Sequence, residues 1–109
     1  MEKKEMISKM MKFWNDNASN AADFPSINFW FKDGSMLGLY LQRRIYMDMP
    51  FPAYALAYSD YQGNSMEIPS VIPALRETKM KTDLSTILDM FVAKGLDIEK
   101  EIERVGYVI

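Results

Sequence analysis

The run Ile27-Asn28-Phe29-Trp30-Phe31-Lys32-Asp33-Gly34-Ser35-Met36-Leu37-Gly38-Leu39-Tyr40-Leu41 decides the fold. Its aromatic and β-branched content reads as strand. Asp33-Gly34 is a turn pair between two such stretches. Two registers compete. A two-residue loop pairs Phe31 with Met36 and leaves both faces mixed. A three-residue loop, Lys32-Asp33-Gly34, with Gly34 left-handed, pairs Phe31 with Ser35. It gathers Ile27, Phe29, Phe31, Leu37, Leu39 and Leu41 on one face. Asn28, Trp30, Lys32, Met36, Gly38, Tyr40 and Gln42 take the other. A slip of one residue exchanges the faces, so the clean separation selects the second register.

Toward the C-terminus the return strand continues to Ile45. Met49-Pro50-Phe51-Pro52 is expected to break the ladder, because proline has no donor. Ala53 to Tyr58 alternates small and large residues and reads as a third strand. After the turn Gln62-Gly63-Asn64, Ser65 to Ile68 pairs back briefly before Pro69. Residues 69–81 read as an irregular crossing segment with one helical turn around Ala74-Leu75. Residues 83–94 form a helix with Thr82 as N-cap. Leu84, Ile87, Leu88, Phe91 and Val92 hold its apolar spacing, and Gly95 is its left-handed stop. Asp97 is expected to cap a short helix through Arg104, with Ile98, Ile102 and Val105 inward. Tyr107-Val108-Ile109 then docks or adds a last strand.

Toward the N-terminus, residues 3–17 form an amphipathic helix. Met6, Met10, Phe13 and Asn17 recur at helical spacing, flanked by Ile7, Met11 and Trp14. Residues 15–23 then read as a helix end and a loop. The expectation is one α+β domain over residues 1–109. An N-terminal helix precedes a three- to four-stranded antiparallel meander. One long and one short C-terminal helix then pack on the sheet.

Composition excludes several chemistries. The chain has 109 residues, no cysteine, no histidine and ten methionines. Disulfides, thiolate zinc sites, cysteine nucleophiles, serine–histidine triads and imidazole acid–base catalysis are out of reach. No metal and no cofactor is expected. Asp48, Asp60, Glu67, Glu77, Tyr46 and Tyr61 are the available acid–base groups, and no motif joins any two of them. No phosphate-cradling glycine loop or nucleophile elbow is present. A non-enzymatic role is expected. No signal-peptide pattern follows Met1, and no apolar run is long enough to span a bilayer. The expectation is a soluble, cytoplasmic protein without a membrane partner.

Four surfaces stand as candidates. Trp30 and Tyr40 lie on the non-core face of the hairpin. If Tyr54 and Tyr58 share that side, four rings line the sheet beside Arg43 and Arg44. Such an array stacks single-stranded bases, unless a helix covers it, which is the commoner arrangement. Met47, Met49 and Phe51 form an apolar stretch in a proline-rich bend, where burial is hard to arrange and an exposed contact loop is expected. Arg43, Arg44, Arg76, Lys79 and Lys81 form a basic patch only if they converge in space. Asp83, Asp89, Asp97, Glu99, Glu101 and Glu103 make the C-terminal end acidic, most simply as a solvated face. The leading expectation is a small module that binds another protein or a second copy of itself through the aromatic and methionine-rich residues. It would act as an adaptor, an inhibitor or a homo-oligomer subunit. Single-stranded nucleic-acid binding is the alternative.

Overall fold

A computed structural model describes residues 1–77 and 79–109; Thr78, within the basic crossing segment, lies outside the described residues. Helix α1 spans Lys3–Asn17, and a 3-10 segment, Ala18–Asp23, leads into the sheet. Strands β1 (Ser26–Phe31), β2 (Met36–Tyr46), β3 (Met49–Ser59) and β4 (Ser65–Val71) follow. Helix α2 spans Met80–Ala93, and β5 (Ile102–Val108) closes the order. The sheet is antiparallel throughout, in spatial order β4-β3-β2-β1-β5. The α+β class holds, with five strands and two α-helices.

The β1–β2 register is the one the hydrophobic pattern selects. Ile27 faces Leu39 and Phe29 faces Leu37. The Phe31 N–H donates to the Ser35 carbonyl at 2.9 Å, and Gly34 takes φ +89°. Asp33 closes the turn by accepting from the Ser35 N–H at 2.9 Å. All six residues of the apolar face are fully buried. Met6, Ile7, Met10 and Phe13 of α1 pack on that face, as do Leu84, Ile87, Leu88 and Phe91 of α2. Burying side chains of this size contributes about 1.5–3 kcal/mol each before entropy is counted. The ends of α2 differ from one another. Its N-cap position is Lys79 without a side-chain cap, and Thr82 lies inside the first turn rather than before it. At the other end Gly95 takes φ +92°. Gly95 N–H bonds the Val92 carbonyl and Leu96 N–H bonds that of Phe91, which satisfies two orphan acceptors.

Besides the Thr82 cap, the expected end of pairing before Pro69 fails, because β4 passes through it at a bulge to Val71, and two further expectations fail for identifiable reasons. The segment after Asp97 is not a short helix. Asp97 does accept the Glu99 N–H at 3.0 Å, but this is a turn, and residues 102–108 extend as β5 against β1. The spacing of Ile98, Ile102 and Val105 imitates a helix face. Against it stand Gly106, which costs about 1 kcal/mol in a helix, and the second edge of β1. Ser26 and Asn28 are buried, so their backbone groups need partners, and β5 supplies them. Nor do Pro50 and Pro52 break the ladder. They pair with Ile45 and Arg43, and β3 runs through both. Bonding direction alternates along a strand. Since the Leu41 N–H points toward β1, onto the Pro25 carbonyl, the bonded pairs with β3 are Gln42–Ala53 and Arg44–Phe51. The two proline nitrogens therefore point away from β2, toward β4. That strand has already ended at Val71, opposite Tyr54.

Candidate binding surface: the β2–β3 arm

The same arithmetic isolates an arm. Strand β1 pairs with β2 only as far as Tyr40, and β4 pairs with β3 only as far as Tyr54. From Gln42 to Ala53 the two strands continue as a two-stranded ribbon, and the molecule is elongated to 42 × 27 × 26 Å. Met47 and Asp48 form the tip at φ 48° and 63°. Two successive positive φ values are the signature of the two-residue hairpin turn, which glycine and asparagine favour. Asp48 tolerates this conformation and Met47 does not. The tip is apolar as well as strained: Ile45, Met47 and Met49 are 63%, 80% and 58% exposed. Tyr46 is also exposed and Phe51 is half-buried.

Among the described residues, two side-chain hydrogen bonds hold one face of the arm. On the sheet face opposite the helices, Arg44 Nε donates to Ser70 Oγ at 3.1 Å, and Ser70 Oγ donates to Gln42 Oε1 at 2.8 Å. On the helix side a groove of about 330 Å³ separates the ribbon from the 3-10 segment. It is lined by Ala18, Ser19, Ala21, Ala22, Arg43, Pro50, Phe51 and Pro52. Further apolar side chains are exposed at this end of the sheet. Phe24, 67% exposed and left-handed at φ 54°, precedes the residue that bonds Leu41. Tyr107, Val108 and Ile109 follow at the end of β5, where Val108 pairs with Ser26.

The expected four-ring face does not form. Tyr54 pairs with Leu41 and Tyr58 with Leu37, which puts both rings on the helix-covered face, where they are buried. Tyr54 meets Trp14 edge-on at 5.7 Å. Its hydroxyl has no hydrogen-bond partner among the described residues, and burial, reinforced by the Asp83 charge, pushes its pKa up to about 12. Tyr58 accepts Lys100 Nζ on its hydroxyl at 3.2 Å. Both helices pack on that face, so Trp30 and Tyr40 lie on the one without a helix. There the Arg104 guanidinium sits 5.0 Å from the centre of the Trp30 ring. Tyr40 folds back over Gly38 so closely that a Cβ on Gly38 would stand 2.6 Å from its ring.

The basic residues do not form one cluster. Arg43 and Arg44, adjacent on a strand, point to opposite faces of the ribbon. Arg76 approaches Asp83 at 3.7 Å. Lys79 precedes α2, and Lys81 lines a groove with Lys3 and Lys4. The acidic residues are dispersed too: Asp89 pairs with Lys3, and Glu101 with Lys32. Asp60 closes its own turn by accepting from Gln62 and Asn64, while Asp48 sits at the arm tip and Glu67 on the helix-free face beside Ala57. Among the described residues no group of three or more Asp or Glu is placed to hold a metal ion, and no helix is long and apolar enough to cross a membrane.

The exposed stretch around Met47–Phe51 is legible as apolar sequence near prolines. Its form as an arm is not. The missed signal is the parity of Pro50 and Pro52: two prolines two residues apart share one edge, so a strand can carry both. Phe24 and the end of β5 gave no such signal. No protein-family model matches the chain, and neither a curated protein nor a solved structure matches it.

Proposed function

We propose that the chain is a small non-enzymatic protein-binding module whose contact surface is the β2–β3 arm. The observation that carries this reading is the exposure of Ile45, Tyr46, Met47 and Met49 on a ribbon standing clear of the sheet. Soluble proteins rarely expose contiguous apolar side chains without a use for them. Methionine side chains adapt to irregular surfaces. Tyr46 and Met49, a directly opposed pair, share one face of the ribbon, and Ile45 lies on the other. The nucleic-acid reading would now rest on Trp30 and Tyr40 with Arg44 on the same face.

The test compares proteins captured from cells that make this chain by the wild type, by Ile45→Asp/Met47→Asp, and by Tyr61→Ser as a surface control. A partner kept by the wild type and the control but lost with the arm variant supports the reading. Identical captured sets for all three overturn it.

A further inference from the structure

Helices α1 and α2 bring together lysines from opposite ends of the chain. Lys3 Nζ donates to Ser85 Oγ at 2.8 Å and to Asp89 Oδ1 at 2.6 Å. Further along α1, Trp14 meets the ring of Tyr54, whose hydroxyl feels the charge of Asp83. So α1 begins beside the middle of α2 and runs toward its start. Lys81, Ser85 and Asp89 succeed one another at the i, i+4 spacing and form one stripe of α2. Lys3, Lys4, Ile7, Lys81 and Ser85 together line a groove of about 300 Å³ between the helices. Its polar side chains offer donors alone. An ammonium has no acceptor. Ser85 Oγ already accepts from Lys3, and its O–H has no acceptor among the described residues. Lys3, Lys12, Lys32 and Lys100 each hold a carboxylate. Lys4 and Lys81 are exposed, and among the described residues neither has an ion-pair or hydrogen-bond partner. Asp89 cancels one of the three lysine charges, which leaves two.

We propose that this groove binds a phosphate monoester in its dianionic form. A donor-only groove needs a ligand made of acceptors. A phosphate monoester brings three terminal oxygens and a charge of about −1.5 to −2 at neutral pH. That matches the three ammoniums and the charge they have left over. A carboxylate brings two oxygens and one charge, and leaves the groove half neutralised. Planar, two-point recognition of a carboxylate is the geometry of arginine, and no arginine lines the groove. Lysine acts on phosphate as a point charge. The first turn of α1 lies here as well, so its amide dipoles add to the positive potential. Glu2 and Glu5, in the same stretch, do not line the groove. Lys3 is already held by Ser85 and Asp89, which fixes part of the site before a ligand arrives. Ile7 gives one wall an apolar surface for the carbon beside the phosphate. The arm lies past the other end of α1, beyond the 3-10 segment, so the two surfaces are separate. The same chemical group ends a soluble glycerol phosphate and the headgroup of phosphatidic acid.

The experiment has two arms. One is an amide NMR titration in which glycerol phosphate replaces sodium chloride at constant ionic strength. The other is co-sedimentation with phosphatidylcholine vesicles carrying phosphatidic acid or, as the phosphodiester control, phosphatidylglycerol. The wild type is expected to show saturable shifts centred on Lys3, Lys4, Lys81 and Ser85. Lys4→Gln/Lys81→Gln should weaken binding at least about tenfold. Both lysines are exposed and hold no carboxylate, so this variant keeps its fold. Lys9→Gln/Lys12→Gln removes as much charge outside the groove and should leave binding unchanged. Saturable shifts with glycerol phosphate support the site with a soluble ligand. Sedimentation with phosphatidic acid but not phosphatidylglycerol, lost in the groove variant, supports it with a lipid one. Shifts that never saturate, together with no preference for phosphatidic acid, overturn the proposal. Binding that the groove variant retains, or that the Lys9/Lys12 variant loses equally, overturns it too.

Discussion

At Gly38 a single hydrogen in place of a side chain decides the packing of the helix-free face. A Cβ there would stand 2.6 Å from the Tyr40 ring and 2.7 Å from Asn28 Oδ1. Asn28 is buried and donates to Ser26 at 3.0 Å, so it has little room to retreat. Gly38→Ala should cost about 1–3 kcal/mol in urea unfolding, as overpacking does. In a Tyr40→Ala background part of that cost should disappear, because the two residues share one contact. Equal costs in both backgrounds would mean the ring is not what the new methyl meets. The arm tip offers the opposite case. Met47 holds a left-handed conformation that costs a side-chain-bearing residue roughly 1–2 kcal/mol, whereas the short polar side chain of Asp48 tolerates it. Met47→Asn/Asp48→Gly supplies residues suited to this turn and should raise stability by about 1 kcal/mol. A thermal melt that falls instead would show that the tip conformation depends on these two side chains.

Among the elements, legibility tracked how much of the deciding force was local. The first hairpin was readable to the register, because Asp33-Gly34 and six alternating apolar residues agree. Helices α1 and α2 were readable because their apolar faces repeat over several turns. Strand β5 was not. With Ile98 just before it, its Ile102 and Val105 carry a helix-like spacing, and what makes it a strand is the bonding need of β1, more than seventy positions earlier. The side on which Tyr54 and Tyr58 fall was equally hidden. It depends on how β2 meets β3 across the tip, and the prolines there concealed a continuous ladder. Of the candidate site, Met47, Met49 and Phe51 were read as apolar contact residues, and the structure places them on the arm. Phe24 and Tyr107 joined that end only once the strands were placed.

Across the whole molecule, the Lys32–Glu101 and Lys100–Asp33 pairs join the β1–β2 turn to the α2–β5 connection. Lys100 Nζ bonds Asp33 Oδ2 at 2.6 Å and lies 4.8 Å from the centre of the Phe31 ring. The hydrogen bond from Lys100, with those from Ser35, lowers the Asp33 pKa to about 2. A carboxylate lowered in the folded state stabilises it above its ordinary pKa, and the contribution fades as pH falls through the folded value. Stability should therefore decline between about pH 4 and pH 2. Lys100→Met should narrow that decline and move the Asp33 pKa toward the usual carboxylate range, as a carbon-detected NMR titration would read. An unchanged titration would mean the ion pair does not form in solution. Asp33 is about half exposed, so screening keeps its share small and the fold should survive its loss.

The unequal sheet edges carry a consequence for how far assembly can go. A subunit with two receptive edges is a monomer for polymerisation: each addition leaves a fresh edge, and growth has no natural end. Here Pro69 and its bulge spoil one side. Were β5 to pair with β5 of a copy, both outer edges of the product would be β4, and that first addition would also be the last.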